Sequence, residues 1–154
     1  MQLTLDQLYR SMRGLDMARA KQYLEPLNAA LAEFQLGTPL EVAHFLAQLA
    51  HESTDLKHWQ EIWGPTKAQL RYEGRKDLGN TQPGDGYRFR GRGPIQTTGR
   101  ANYTRVASKL KLDCVNHPEL LTTPEHGFRA AALFWQDNGC KEYALKDDVL
   151  AVSQ

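Results

Sequence analysis

A chain of 154 residues with 19 Lys and Arg against 18 Asp and Glu carries a formal charge of +1. So small a net charge excludes a global field for nucleic acid or a membrane surface, and any basic preference has to be local. The length suits one domain with a sizeable core; two cysteines are too few for a disulfide framework, and no stretch approaches 18 uninterrupted apolar residues, so no stable membrane insertion is expected.

The opening MQLTLDQLYRSMRG contains Asp6 and has neither a basic leader nor an apolar core, so synthesis in the cytoplasm without a signal peptide is expected. Leu5, Leu8 and Met12 share one helical face, with Thr4 and Gln7 spaced as a capping box. Over 16–34 the stripe Tyr23, Leu24, Leu27, Leu31 and Phe34 predicts a second helix, closed by Gly37 and kinked or split by Pro26. A third helix follows over 38–53, with Thr38, Pro39 and Glu41 as N-cap, first residue and N3 of a capping box. Its stripe of Val42, Phe45, Leu46, Leu49 and Ala50 is wide enough to make it the centre of the chain. The last turn carries His51 and Glu52, and a carboxylate at that negative end of the helix dipole is disfavoured by a few tenths to about 1 kcal/mol.

After Ser53 the pattern Leu56, Trp59, Ile62 and Trp63, ending at Gly64 and Pro65, predicts a short strand or hairpin arm, and 66–71 a single helical turn. From 74 to 93 glycine and proline crowd together, predicting a long ordered loop or small irregular sheet that borders a cleft. Tyr103, Val106 and Leu110 mark a helix starting at Ala101. A turn-rich stretch spans 113–122. Thr123 and Pro124 then open a helix with Phe128, Ala131, Ala132 and Trp135 facing inward, ended by Asn138 and Gly139. Residues 141–154 are helix-compatible.

Between Arg71 and Arg105 eight basic residues are interleaved with Tyr72, Tyr87, Phe89 and Tyr103. Such a set suits single-stranded nucleic acid, by phosphate contact and stacking, or a sugar polymer, above all an anionic one. The plain alternative is a solvated loop whose arginines pair with local acids, so composition leaves three readings open. His44, His51 and His58 recur every seven residues, whereas a helical zinc pair needs four, so no metal is expected. No nucleophile elbow and no phosphate-binding loop is present, which leaves acid-base chemistry by carboxylates. Glu52, at a helix C-terminus and beside apolar surface, would be held protonated as a general acid; taken as a lone residue it reads first as a solvated glutamate on a fraying helix end. An inverting glycosidase sets its base about 6.5–9.5 Å from the acid, with room for a water. Glu61 and Glu73 are the candidates, and Trp59 and Trp63 flank Glu61 at strand spacing as an aromatic wall.

The segments His51-Glu52-Ser53, Glu61-Ile62-Trp63-Gly64-Pro65, Arg71-Tyr72-Glu73-Gly74-Arg75, Asp77-Leu78-Gly79-Asn80 and especially 91–103, GRGPIQTTGRANY, resemble the family 19 glycoside hydrolases, in particular their short bacterial and phage endolysin members. The resemblance spans about 45–135. It implies a mainly α, lysozyme-like, two-lobed α+β fold with a small irregular β region beside the cleft, formed by 1–154 as a single catalytic domain. It also implies hydrolysis of β-1,4-linked N-acetylglucosamine polymers with inversion. Carried over by position, Glu52 matches the general acid, Thr98 the residue that holds the attacking water, and Glu61 the second carboxylate, with Glu73 in reserve. Gln96, Asn102, Tyr103, Trp63 and Glu73 are then expected at the substrate. Full-length members continue into a segment with an Asn-Gly-Gly turn and a cleft-facing arginine, which the chain lacks up to Gln154; either a shortened member or a fragment is expected. The expected partner is polysaccharide, peptidoglycan first and chitin second, without nucleic acid or cofactor. A monomer acting on the cell wall after release is expected, with a binding-only module as the rival.

Overall fold

The computed structural model describes residues 1–140. The helix-compatible stretch 141–154 lies outside the described residues. Among the described residues seven α-helices follow one another: α1 (Leu5–Ser11), α2 (Met17–Glu33), α3 (Pro39–Ser53), α4 (Lys67–Leu70), α5 (Asp85–Arg88), α6 (Arg100–Leu110) and α7 (Pro124–Asp137), with 3-10 turns at Lys76–Leu78 and Pro118–Thr122. The architecture is mainly helical and lysozyme-like.

The helix starts follow the sequence closely. Thr4 and Gln7 form the reciprocal box at α1, Asp16 caps α2, and Thr66 and Gln69 form a second box at α4. At α3 only half of the expected box exists. Thr38 accepts from the Glu41 amide, but the Glu41 side chain turns into the core, fully buried, and its Oε2 accepts from Trp135 Nε1 at 3.3 Å. The core recruits it to join α3 to α7. Pro26 neither splits α2 nor ends it. The carbonyl that a proline leaves without a donor belongs to Gln22, an exposed residue.

Two apolar clusters make the two lobes. The first gathers α1, α2, α3 and one side of α7, with Leu27, Phe45, Leu49, Phe128 and Trp135 among its buried members. The second gathers Phe89, Tyr103, Val106, Leu110, Cys114, Leu121, Ala130 and Leu133. Helix α7 serves both: Phe128, Ala131, Ala132 and Trp135 face one, Ala130 and Leu133 the other. A helix buried on nearly all sides is the structural centre; the sequence pointed to α3, because its stripe is the broader one there. Cys114 and Cys140 are free thiols in different clusters, and burial pushes Cys114 up to about 11.

The strand expected after Ser53 does not form. Among the described residues β-structure is limited to two isolated antiparallel bridges, Gln60 with Arg92 and Arg92 with Thr97. The chain reverses instead through three consecutive left-handed residues, Thr54, Asp55 and Leu56, at φ 52°, 56° and 62°. That conformation costs L-residues roughly 1–2 kcal/mol each, so it persists only where its surroundings impose it. Ser53, fully buried, donates to Leu49 O and accepts from Leu56 N. Asp55 Oδ2 accepts from Gly14 N at 2.9 Å, and the Leu56 carbonyl accepts from Arg19 Nη1 and Trp59 Nε1. This knot fixes the end of α3, and the following segment packs Trp59 against Tyr23 of α2 and Phe128 of α7.

Candidate active site

Glu52 sits exposed on the last turn of α3, with Gln48 Nε2 3.3 Å from its Oε1. The apolar surroundings expected for it are not supplied by its position. Desolvation there would have to come from a bound ligand.

Glu61 is held far more tightly. Its amide donates to Gly91 O at 2.7 Å and the Gly91 amide donates back to Oε1 at 3.1 Å, while Gln69 Nε2 and Tyr72 Oη both donate to Oε2 at 3.1 Å. Gln69 works at both ends: its Oε1 caps the α4 start at Thr66 N and its amide nitrogen clamps Glu61. Burial and then the neighbouring Glu61 carboxylate push the Tyr72 hydroxyl up, so it remains a donor at neutral pH. A carboxylate offers about four acceptor sites; three are occupied, and the remaining one is on Oε1.

Gly91 explains where that site points. A Cβ built on it would come within 2.6 Å of Gln96 Oε1 and 3.3 Å of both Glu61 Oε1 and Thr98 Oγ1. Three oxygens therefore converge on one point that any side chain at 91 would fill. Gln96, at φ 58°, donates from Nε2 to Gly93 O; Thr98 donates its hydroxyl to Gln96 O, which leaves its oxygen free to accept. Asn102, exposed on α6, anchors Nδ2 on Thr98 O at 2.7 Å. Gln96, Thr98 and Asn102 also line a depression of about 370 Å³ that runs toward Arg105 and Phe134, with neither Glu52 nor Glu61 on its wall.

Trp63 is half-buried and packs near Tyr72 and edge-on to Tyr87, with centroids 6.2 and 5.4 Å apart. Trp59 does not join it as an aromatic wall. Without a strand the two are not on one face, and Trp59 turns into the first cluster between Tyr23 and Phe128, with its Cζ3 where a Cβ on Gly127 would stand. Tyr103 is likewise no substrate contact: it is fully buried, its hydroxyl donates to Arg90 O at 2.6 Å and accepts from Arg92 Nη1, and burial pushes it up to about 12. It holds the glycine-rich segment from beneath. Glu73, the reserve carboxylate, is tied to its own loop. Its two oxygens accept from the amides of Gly84 and Gly86 at 2.7 and 2.9 Å, which holds it below the usual carboxylate range. Tyr72, Gln69 and Gly91 were not singled out from sequence; the Thr66-to-Gln69 capping spacing and the 71–75 motif were the available signals.

The basic segment is largely neutralised from within. Arg75 pairs with Asp77, Arg100 with Asp85 and Arg105 with Asp137. Among the described residues no group of three or more His, Cys, Asp or Glu is placed to hold a metal ion, and no helix is long and apolar enough to cross a membrane.

The family model described as class I chitinase, Glyco_hydro_19, matches residues 35–150. The chain belongs to the class I chitinase family. Relatives include Endochitinase 1 of Theobroma cacao, 34% identical over 103 residues, covering 62% of this chain and 32% of that protein. An endochitinase of Pisum sativum is 36% identical over 107 residues, with 62% and 32% covered. The chain thus spans about a third of the length of these curated relatives. Chitinase C from Streptomyces griseus HUT6037 superposes with a TM-score of 0.65 at 19% identity, over 96% of this chain and 63% of that one. A bacterial family 19 chitinase described as differing from the plant enzymes gives 0.59 at 23% identity, over 85% and 64%. These identities speak for the fold, and the class I chitinase match for the family.

Proposed function

We propose that the chain is an endolysin-like glycoside hydrolase that cleaves β-1,4 bonds of bacterial peptidoglycan by an inverting acid-base mechanism. Glu52 donates the proton to the leaving oxygen, Glu61 takes one from the attacking water, and Thr98 orients that water. The observation that carries this reading is the convergence of Glu61 Oε1, Thr98 Oγ1 and Gln96 Oε1 above Gly91. A water bound in front of Glu61 Oε1 and Thr98 Oγ1, clear of Gly91 itself, would touch a carboxylate able to accept its proton and a hydroxyl able to fix its orientation. The donors from Gly91, Gln69 and Tyr72 hold Glu61 in one position, and Glu52 stands on a separate, rigid helix. Gln96, Asn102 and Trp63 contact the glycan.

Chitin is the second reading, favoured by the relatives being endochitinases by name. Turbidity loss of permeabilised Gram-negative cells, run beside release of soluble sugar from colloidal chitin, separates the two. In both assays Glu52→Gln is expected to abolish turnover while thermal unfolding stays at or slightly above that of the parent, because a charge opposed to the helix dipole is removed. Substantial residual turnover in that variant refutes the assignment. Cell-wall binding by the parent without cleavage favours the binding-only module instead.

A further inference from the structure

Arg90 immediately precedes Gly91, whose amide holds Glu61, so its guanidinium is attached one residue from the proposed base. That guanidinium lies 4.2 Å from the centre of the Tyr87 ring and donates from Nη1 to Tyr87 O at 3.1 Å. Its Nε is shielded from solvent without an acceptor. Arg75, Arg100 and Arg105 each have a carboxylate, and Arg88 and Arg92 donate to backbone carbonyls of Val115, Asn116 and Arg88. Among the described residues no carboxylate pairs with Arg90. A partly desolvated, stacked cation lacking a counter-ion is preorganised for an anion from outside.

The surface leading to it is aromatic and open. Tyr72 reaches Glu61 through its hydroxyl, Trp63 lies beside Tyr72, and Tyr87, 53% exposed, meets Trp63 edge-on before Arg90 stacks on it. Such faces accept the pyranose rings of any N-acetylglucosamine polymer, and chitin offers them nothing charged. Peptidoglycan differs because every second sugar bears a lactyl arm carrying a peptide with free carboxylates. Taking the site as a glycan cleft, we propose that Arg90 is a specificity residue that binds a carboxylate of this peptide-bearing arm and thereby selects peptidoglycan over neutral N-acetylglucosamine polymers. Tyr87 holds the guanidinium plane fixed, which a lysine ammonium at the same place would not reproduce.

The test measures co-sedimentation with purified sacculi, either native or with their peptide carboxylates converted to methylamides. It is run in a Glu52→Gln background so that binding is read without turnover. Native sacculi are expected to bind about tenfold more tightly than amidated ones, the size of one charge-assisted hydrogen-bonded pair. Arg90→Gln is expected to remove most of that difference by weakening native binding, with Arg90→Lys restoring only part. Equal binding of native and amidated sacculi by the Arg90 protein overturns the proposal, as does an Arg90→Gln variant that weakens both alike, which is what a purely structural stack predicts. The amidation comparison on the Arg90 protein still decides if Arg90→Gln fails to fold. A preference for native sacculi in a protein whose Glu52 parent cuts neither substrate would refute the hydrolase reading and leave the Arg90 assignment standing.

Discussion

At the scale of single residues, the two carboxylates that residue patterns alone left open, and that the family resemblance ordered as Glu61 before Glu73, differ in what donates to them. Glu61 keeps an acceptor site on Oε1, the oxygen that lies beside Thr98 Oγ1 at Gly91, whereas each oxygen of Glu73 is bound to an amide of its own loop. Glu61→Gln is therefore expected to lower turnover by at least about 100-fold, the usual worth of a general base. Glu73→Gln should stay within a few-fold of the parent and show only a small fall in melting temperature. Rates on cell-wall substrate compare them directly, and the opposite order would move the base to Glu73. Thr98→Ala removes one hydrogen bond to the water and is expected to reduce kcat about tenfold with little change in KM. A pure KM effect would make Thr98 a binding residue. Gln96 and Thr98 were readable because the 91–103 motif fixes their types in order; Tyr103 misled because the same motif says nothing about which side of a helix meets the core.

At the scale of elements, the loop over 71–93 is anchored by Phe89 in the second cluster and otherwise ordered by polar staples. Asn80, fully buried, donates to Tyr72 O and accepts from Arg100 N, and Asp85, 1% exposed, receives Arg100 Nε and Nη2 at 2.8 Å each. The Arg100 hydrogen bonds, ahead of the opposing effect of burial, hold Asp85 below the usual carboxylate range. With a depressed folded-state value, its stabilisation is complete above the ordinary carboxyl titration near about pH 3.9 and is lost as pH falls through the folded-state value. Asp85→Asn is expected to cost about 1–3 kcal/mol at pH 7. It should also flatten the fall in melting temperature between about pH 4 and pH 2. An unchanged acid limb would assign that fall to other carboxylates. Sequence showed a loop here, since glycine, proline and asparagine write turns plainly. It did not show the left-handed reversal at 54–56, because Thr54, Asp55 and Leu56 were given no local signal for it and the hydrogen bonds from distant Gly14 and Arg19 help to hold it beside those of Ser53 and Trp59.

At the scale of the whole molecule, the helices and their caps were legible because period and capping are local, while the centre of the fold was not, since α7 earns that place only through two clusters distant in sequence. Phe128→Ala, at a fully buried position, is expected to cost about 3–5 kcal/mol. It should lower the unfolding midpoint read from tryptophan fluorescence, which reports mainly the first cluster, and from amide exchange at Val106 in the second, by the same amount. Separate midpoints would mean that the lobes melt independently. A rod whose opposite faces are gripped by different cores behaves as a torsion bar: rolling it to relieve one core loads the other. The placement of the two clusters relative to one another is then set by the stiffness of α7.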